Sequence, residues 1–251
     1  MKRAIILGFT LVETLVAIVI GVISVAALFY SYQFFAKSYQ GILDKASISR
    51  SGRDALRMIA RDLRNAGYKD VNYIPNFDRW IEQRDFEESS ADFLAIYYNT
   101  SPNDRVRIYY RVRKYKNSND MYLSRDVVEN PDTADEEQLL LNEIIVPYVT
   151  DFQVVLKDID GKELKPVCIK CNAENLKHGT KAEGKANQSK VHTAEVYLTV
   201  RSPNKIYQKD KIWKIINYNA STGRTQTLDP DRYHRETFFT SVYLRNIVNI
   251  K

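Results

Sequence analysis

The chain opens with a long apolar run, and its hydrophobic pattern changes twice after that run. From Phe9 to Ala36 the only charged side chain is Glu13, whereas Lys2 and Arg3 stand before the run. As a helix the run would be about 42 Å long, which exceeds a hydrocarbon core of about 30 Å. The pattern predicts a membrane-spanning helix, and the preceding cations favour a cytoplasmic N-terminus with the rest of the chain on the other side.

An amphipathic helix is predicted next. At 100° per residue, five arginines fall within an arc of about 80°, and apolar residues occupy the opposite side. The arginines are Arg50, Arg53, Arg57, Arg61 and Arg64, and the apolar residues are Leu56, Ile59, Ala60 and Leu63. We expect the apolar side to pack on a globular head, and Asp54 to pair with Arg50 and Arg57. The arginines then form a solvated face, the favoured interpretation, or a surface for another subunit or a polyanion.

Beyond residue 68 the pattern becomes the alternation that is typical of strands. The predicted strands are residues 92–99, 105–115, 121–125, 149–158, 193–201 and 238–248. A turn-forming run at residues 99–104 predicts that the first two strands form an antiparallel hairpin. We therefore expect one antiparallel sheet with a helix-facing side and a solvated side, and surface loops at residues 130–138 and 165–190.

Composition restricts the class of protein without identifying it. The 251 residues are 44% hydrophobic and 27% charged, which predicts an ordered chain with a real core. A net charge of +6 does not by itself require a nucleic-acid partner. The 17 tyrosines, many of them beside Lys or Arg, suit base stacking but serve sheet pairing equally well. Without a nucleic-acid-binding motif or a compact basic patch, nucleic-acid binding is disfavoured.

Cys168 and Cys171 are the most conspicuous candidates for chemistry. Asn172 stands where a covalent haem site needs His, and a Lys-rich loop among strands is not the βαβ setting of a thioredoxin-like site. Zinc remains open, with His178 and His192 as further ligands, but outside the cytoplasm a structural disulfide is favoured. We predict no resident metal and no cofactor.

Other chemical motifs are weak. The run from Asp158 to Gly161 is similar to the start of a calcium loop, but its twelfth position is Ile169 instead of Glu, so a β-turn centred on Asp160 and Gly161 is favoured. The three histidines show no spacing with Ser or Cys that suggests a catalytic triad, and no Walker or dinucleotide-binding pattern occurs. The sequence therefore predicts a protein that is not an enzyme.

The start of the apolar run does not have the order of a secretory signal, in which a small-residue cleavage site follows the apolar core. Gly8-Phe9-Thr10-Leu11-Val12-Glu13 precedes that core, and an intramembrane carboxylate needs a cation. A simple membrane anchor would leave Glu13 without one. The run resembles the prepilin motif of type IV pilins and type II secretion pseudopilins. The resemblance implies cleavage between Gly8 and Phe9, methylation of Phe9 by prepilin peptidase, and pairing of Glu13 with the N-terminal amine of a neighbouring subunit.

Two further segments extend the resemblance. Residues 60–68 read A-R-D-L-R-N-A-G-Y, which is similar to the run that closes the long helix of PilW-type minor pilins, and Gly67 in it suits a left-handed helix cap. J-type pseudopilins carry a related E-R-D-L-R run. Residues 238–246 resemble the closing strand of both groups.

The resemblance implies an α+β, pilin-like fold in which a long N-terminal helix packs on an antiparallel β head. The parts would be a leader at residues 1–8, a membrane or filament-core helix at 9–36, an amphipathic stalk at 37–68 and a β-rich head at 69–251. The protein would lie in the inner membrane with its head outside the cytoplasm and later on the pilus.

The implied function is that of a minor pilin that helps to prime a type IV pilus and stays near its tip. Its implied partners are other minor pilins, the major pilin, prepilin peptidase and the inner-membrane assembly platform. The alternatives are a J-type pseudopilin of a type II secretion system and, from another class, a tip adhesin or DNA-uptake receptor.

Overall fold

The computed structural model describes residues 10–69, 80–85, 92–101, 104–131, 135–164, 167–168, 190–215 and 226–248. The chain divides into two compact units, Met1–Asp44 and Lys45–Lys251. A single long helix, α1 (Leu11–Asn65), contributes residues to both units. All described strands belong to the second unit, which is called the head below.

Twelve strands and one short helix follow α1 within the described residues. They are β1 (Ile81–Asp85), β2 (Phe93–Asn99), β3 (Arg105–Lys114), β4 (Met121–Glu129), β5 (Glu137–Pro147), β6 (Val149–Lys157), β7 (Glu163–Leu164), β8 (Val167–Cys168), β9 (Thr193–Lys205), β10 (Lys214–Ile215), β11 (Gln226–Thr227), β12 (Tyr233–Tyr243) and α2 (Arg245–Val248).

The strands form two main sheets, where the sequence predicted one. The first has six strands in the order β5-β4-β3-β2-β1-β8, and the second has four in the order β12-β9-β6-β7; β10 and β11 form a separate pair. The two sheets divide at Tyr148, which has a φ of 57° and lies between Pro147 at the end of β5 and Val149 at the start of β6. Alternation identifies strands but not their partners, so the sequence did not show this division.

The head part of α1 buries the face that its sequence predicts. Leu56, Ile59, Ala60 and Leu63 are all buried, and they join one hydrophobic cluster with residues of both sheets and of α2. Helix and sheet approach closely at Gly52, where an added Cβ would overlap the ring of Phe238 on β12. This glycine permits the close approach because it has no side chain.

The predicted end of α1 is confirmed. Gly67 has a φ of 74°, and its N–H donates to the carbonyl of Tyr97 at 3.0 Å, so the chain leaves the helix directly alongside β2. The side-chain amide of Asn246 in α2 donates to the carbonyl of Arg64 at 2.9 Å and satisfies one of the last helical carbonyls. A Cβ on Gly67 would lie 2.8 Å from Cγ1 of Ile247.

The predicted hairpin of β2 and β3 is confirmed, with Asn99 opposite Arg105.

Several other predicted bounds need correction. The predicted loop at residues 130–138 is wrong from Glu137 onward, because β5 begins there. The strand was not predicted because its consecutive leucines lack the alternation of a half-buried strand. The predicted strand at 238–248 is wrong after Tyr243, since Leu244 N bonds to the His192 carbonyl at 2.8 Å and α2 follows. The predicted loop at 165–190 contains β8, and residues 169–189 lie outside the described residues.

The contact at Gly52 gives a prediction with a matched control. Gly52→Ala should destabilise the head by about 1–3 kcal/mol, because the new methyl group overpacks against Phe238. Gly21→Ala is the same change in the same helix, with no atom within 4 Å of the new Cβ, and it should not lower the free energy of unfolding. Guanidinium unfolding of the detergent-solubilised chain measures both. Phe238→Leu should relieve part of the Gly52→Ala effect; equal stability of the two glycine variants would contradict the proposed close approach.

Candidate assembly surfaces

The first part of α1 is uncovered. Every residue from Thr10 to Gln40 is exposed. The helix contains an 18-residue window with a mean hydropathy of 2.5, and none of that window is buried inside the protein. By length and composition this is the one helix among the described residues that could cross a membrane. Exposed apolar surface of this extent needs lipid or other helices around it.

Glu13 caps the start of α1. Its Oε2 accepts from the backbone N–H of Thr10 at 2.8 Å and from the Thr10 hydroxyl at 3.0 Å. The Glu13 N–H donates in return to Oγ1 of Thr10 at 3.2 Å. These reciprocal bonds form a capping box, whose Thr-x-x-Glu signature is visible in the sequence but was not among the predicted features. The carboxylate is therefore directed toward the N-terminal end of the helix.

The five predicted arginines lie together on the exposed face of the head part of α1; we call them the arginine stripe. All five are exposed. Asp54 pairs with Arg50 at 3.8 Å and with Arg57 at 3.3 Å, as the helical spacing predicted. Arg53 donates to the hydroxyl of Ser49 at 2.7 Å. Asp54 thus pairs with two of the five cations, and Arg61 lies 3.4 Å from Oδ1 of Asp62, so the stripe keeps an excess of positive charge.

Directly beside the stripe, Asp62 is buried with 3% of its surface exposed. Its Oδ2 accepts from the Tyr110 hydroxyl on β3 at 2.6 Å and from Nε of Arg125 on β4 at 3.0 Å. Burial and then the negative charge of Asp62 raise the pKa of Tyr110, which keeps this hydroxyl a donor. Burial alone would lower the pKa of Arg125, but the Asp62 carboxylate raises it. These bonds attach α1 to the six-stranded sheet.

A second uncovered apolar surface lies on β5. The strand is exposed from Glu137 through Ile144, and Leu139, Leu140 and Leu141 are among its exposed residues. A groove of about 360 Å³ runs between this strand and α1, and it is lined by residues that include Arg50, Met58 and Ile144. This surface was not predicted from the sequence, where the start of the segment was expected to be a surface loop.

An aromatic and basic cluster surrounds His234 on β12. Nδ1 of His234 lies 2.8 Å from the Tyr207 hydroxyl, and its ring centroid lies 6.0 Å from that of Trp213. Lys211 stands over the Tyr207 ring at 3.7 Å. Burial lowers the pKa of His234, the positive charges of Lys45 and Lys211 lower it further, and Glu236 opposes the shift.

Comparisons with known proteins bear on the fold. No protein-family model matches the chain, and no curated protein does. Among solved structures the chain is similar to a type IV-like pilin from Thermus thermophilus, with a TM-score of 0.54 and 14% sequence identity. The match covers 79% of this chain and 96% of that chain. The chain has a type IV pilin-like fold. The predicted α+β architecture of a long helix on antiparallel sheets is thereby confirmed.

Some predicted site residues of this pilin-like chain fall outside the described residues. These are Gly8 and Phe9 at the predicted cleavage site, and Cys171 and His178 in the predicted disulfide or zinc site. The backbone of Cys168 pairs in parallel register with Asp85 of β1. The choice between a disulfide and zinc stays a prediction. Among the described residues, no three His, Cys, Asp or Glu side chains are placed to hold a metal.

The predicted turn after β6 is confirmed. Oδ1 of Asp158 accepts from the N–H groups of Asp160 at 3.0 Å and Lys162 at 2.8 Å, and Gly161 has a φ of 78°. The Asp158 carboxylate therefore stabilises a tight turn between β6 and β7.

The buried position of Asp62 was not predicted from the sequence, although the helical pattern contains a signal for it. In a helical projection it lies about 60° from Ile59, on the apolar side of α1. A carboxylate on that side needs a buried partner. Its partners Tyr110 and Arg125 are distant in sequence and only the fold shows them.

Removing the Asp62 carboxylate should be costly. Asp62→Ala removes the closest carboxylate of the buried Arg125, which keeps only the longer contact with Glu143 at 3.6 Å, and it removes the acceptor of the Tyr110 hydroxyl. We expect the free energy of unfolding to fall by about 3–5 kcal/mol. Asp54→Ala is the matched control, because it removes an exposed carboxylate from the same helix and should cost about 0–1 kcal/mol. Denaturant titration followed by tyrosine and tryptophan fluorescence measures both. A loss of similar size in the two variants would contradict the anchoring role of Asp62.

The lowered pKa of His234 predicts a pH dependence of stability. The unfolded chain, whose histidine pKa is near 6.5, takes up the proton before the folded head does, so stability should fall as the pH is lowered from about 7 to 5. The slope from this one group is at most about 1.4 kcal/mol per pH unit. Melting temperatures across this range should show a smaller decrease for His234→Phe than for the wild type. Parallel curves would contradict the prediction.

Proposed function

We propose that this chain is a minor pilin that takes part in assembling a type IV pilus, near its tip, after leader cleavage and N-methylation. The observation that carries the proposal is an uncovered apolar helix that ends in a pilin-like head. At the start of this helix the Glu13 carboxylate is directed toward the N-terminal end. The proposed role is structural and not enzymatic.

The uncovered part of α1 suits two successive environments. Lipid tails and the core of a helical filament are both dry, so the same apolar surface can be covered first by lipid and then by neighbouring helices. Helices packed side by side would replace lipid without exposing the residues from Leu11 to Gln40 to water. This exchange supports a subunit that waits in the inner membrane and later joins a pilus.

The charge of Glu13 supplies the specificity in this proposal. Thr10 donates two hydrogen bonds to the carboxylate, but both donors are neutral, so the negative charge remains. An isolated charge in the membrane costs on the order of 2.5–3.5 kcal/mol. Cleavage before Phe9 would create a cationic amine at the same helix end that Glu13 caps. We propose that the amine of a neighbouring subunit pairs with Glu13.

The A-G-Y continuation at residues 66–68 favours a pilus over a type II pseudopilin, because J-type pseudopilins do not always carry it. In this continuation Gly67 takes the left-handed conformation, and the Tyr68 carbonyl accepts from Asn99 N at 3.0 Å on β2. These residues join the helix end to the sheet. By the proposal, prepilin peptidase removes the leader with Lys2 and Arg3 on the cytoplasmic face of the membrane, and the head lies on the other side. The assembly platform and other pilins then act on the processed chain.

The charge of Glu13 can be tested separately from its capping bonds. Glu13→Gln keeps the capping box, since Gln also occupies that position, but removes the charge. We expect normal insertion into the membrane fraction and at least about a tenfold lower recovery in sheared pili, equivalent to 1.4 kcal/mol or more. Ser24→Ala is the control, because it alters a neutral polar group of the same helix.

Two outcomes would contradict the proposal. One is wild-type recovery of Glu13→Gln in sheared pili. The other is a mass spectrum of the cell-derived protein that still contains residues 1–8, because the predicted new N-terminus would then not exist.

A further inference from the structure

The segment that follows β9 lies at the end of the head where α1 enters it. We call residues 205–214 the basic segment. Lys45, the first residue of the head, has its Nζ 5.8 Å from the ring centroid of Tyr207 in this segment. From there β12 follows α1 in the same direction, with contacts of Ser49 to Glu236, Gly52 to Phe238 and Arg64 to Asn246. The basic segment therefore lies at the N-terminal end of the head part of α1.

The backbone on both sides of Ile212 is fixed. Lys211 N donates to the Asp231 carbonyl at 2.7 Å, and Asp231 N donates to the Lys211 carbonyl at 3.1 Å. The Trp213 carbonyl accepts from Leu228 N at 3.0 Å. Ile212 lies between these attachments and is 66% exposed. The segment thus presents an apolar side chain on an ordered backbone, which lowers the entropy that a contact there would cost.

The charge around Ile212 is mostly positive. Residues 205–214 and 226–235, which pair through β10 and β11, contain six cations and three acids. The cations are Lys205, Lys209, Lys211, Lys214, Arg232 and Arg235, and the acids are Asp210, Asp229 and Asp231. Arg232 donates to Asp210 at 3.0 Å, and Arg235 donates to Asp231 at 2.7 and 2.6 Å. These pairs leave four exposed lysines against Asp229 in the two segments.

The membrane surface is within reach of these lysines. Lys37 and the exposed Tyr30, Tyr32 and Tyr39 follow or end the apolar run, and they are of the residue types that lie at a membrane–water interface. From Tyr39 to Lys45 the chain spans about 9 Å as a helix and at most about 21 Å if extended. Attraction to an anionic lipid surface acts within a Debye length, about 8–10 Å. The basic segment, which contacts Lys45, is therefore close enough to meet lipid headgroups.

We propose that the basic segment rests on the surface of the membrane that holds α1, with Ile212 inserted among the headgroups and the four lysines beside anionic phosphates. The inference rests on the proposed function for its setting, in which the subunit waits in the membrane before assembly. This second attachment adds to that of α1 and holds the head in one orientation toward incoming subunits. The contact is released when the subunit leaves the membrane for the pilus.

The lysines and the apolar residues have different physical roles in this contact. The lysines attract the segment to anionic lipid, and salt screens that attraction. Ile212 adds apolar burial, and the rings of Trp213 and Tyr207, whose centroids lie 6.3 Å apart, suit the depth at which an apolar ring body and a polar group are both satisfied. The contact should therefore require anionic lipid and weaken as the ionic strength is raised.

Tryptophan fluorescence can test the contact, because the two tryptophans of the chain lie at opposite ends of the head. Trp80 is 2% exposed, and its carbonyl accepts from Tyr97 N at 2.9 Å. Tyr97 in turn bonds to Gly67 N, just beyond the end of α1 that lies about 30 Å from Lys45. Trp80 is therefore an internal reference that lipid should not reach.

The full chain is reconstituted in vesicles of phosphatidylcholine with about 30% phosphatidylglycerol, whose acyl chains carry bromine near the headgroup as a quencher. The quenched fraction of the emission should be at least about threefold larger for the wild type than for Trp213→Phe, in which only Trp80 emits. Vesicles without phosphatidylglycerol, or salt raised to about 500 mM, should lower the wild-type value at least about twofold.

Substitutions with matched controls identify the residues involved. Lys209→Glu with Lys211→Glu, and separately Ile212→Ser, should each lower the quenched fraction at least about twofold. Lys162→Glu with Lys190→Glu, and separately Ile159→Ser, change the same residue types at exposed positions that adjoin the start of β9, whereas the basic segment includes its end. These controls should leave the quenching unchanged. Trp80 emission, measured in the Trp213→Phe background, shows whether each variant is folded.

Three outcomes would overturn the proposal. The first is equal quenching of the wild type and Trp213→Phe. The second is quenching that is insensitive to the Lys209 and Lys211 reversals and to anionic lipid. The third is a loss of pilus entry in the reversal variant without quenching of the wild type in vesicles, which would assign the segment to a protein partner. Flotation with the vesicles tests anchoring by α1 separately, so a chain that floats without quenching refutes only the contact of the head.

Discussion

A single helix in this protein has to satisfy two different surroundings, and the rest of the structure follows from that constraint. Up to Gln40 the apolar residues of α1 are exposed on every side, so their cover has to come from outside the chain. From Lys45 onward the same helix alternates between buried apolar residues and exposed arginines, because the head covers one face. The first part therefore determines where the protein can reside, and the second determines how its head is held.

Three buried carboxylates hold the joints of the head. Asp62 joins α1 to the six-stranded sheet, Asp126 fixes the irregular course of β5, and Oδ2 of Asp92 accepts from Val154 N on β6 at 2.8 Å. Burying a carboxylate is unfavourable unless donors surround it, so each of these sites contributes less to stability than to the uniqueness of one arrangement. Hydrophobic contact alone would allow the sheets to shift against each other, whereas these bonds are satisfied in one register.

The elements that were predicted from sequence are those that local periodicity specifies. The arginine stripe, the buried face of α1, the left-handed Gly67 and the hairpin of β2 and β3 each depend on residues within a few positions of one another. The second sheet and α2 depend on pairings between distant segments, and β5 lacks the alternation that would have revealed it. The partners of Asp62 likewise lie 48 and 63 residues away. The capping box of Thr10 and Glu13 is also a local pattern, and its Thr-x-x-Glu spacing is sufficient to predict it.

The capping box also changes how the charge of Glu13 should be understood. A carboxylate bonded to Thr10 is already oriented toward the helix start, where the positive end of the helix dipole lies. Neutral donors and a dipole reduce the cost of the charge in a dry environment but do not cancel it. Under the proposed function the subunit stays in lipid until an arrangement brings a cation to this helix end, and such an arrangement is favoured over the isolated charge. In that proposal the chain's own Thr10 orients the carboxylate and a neighbour neutralises it, so the first contribution fixes the position at which the second would act.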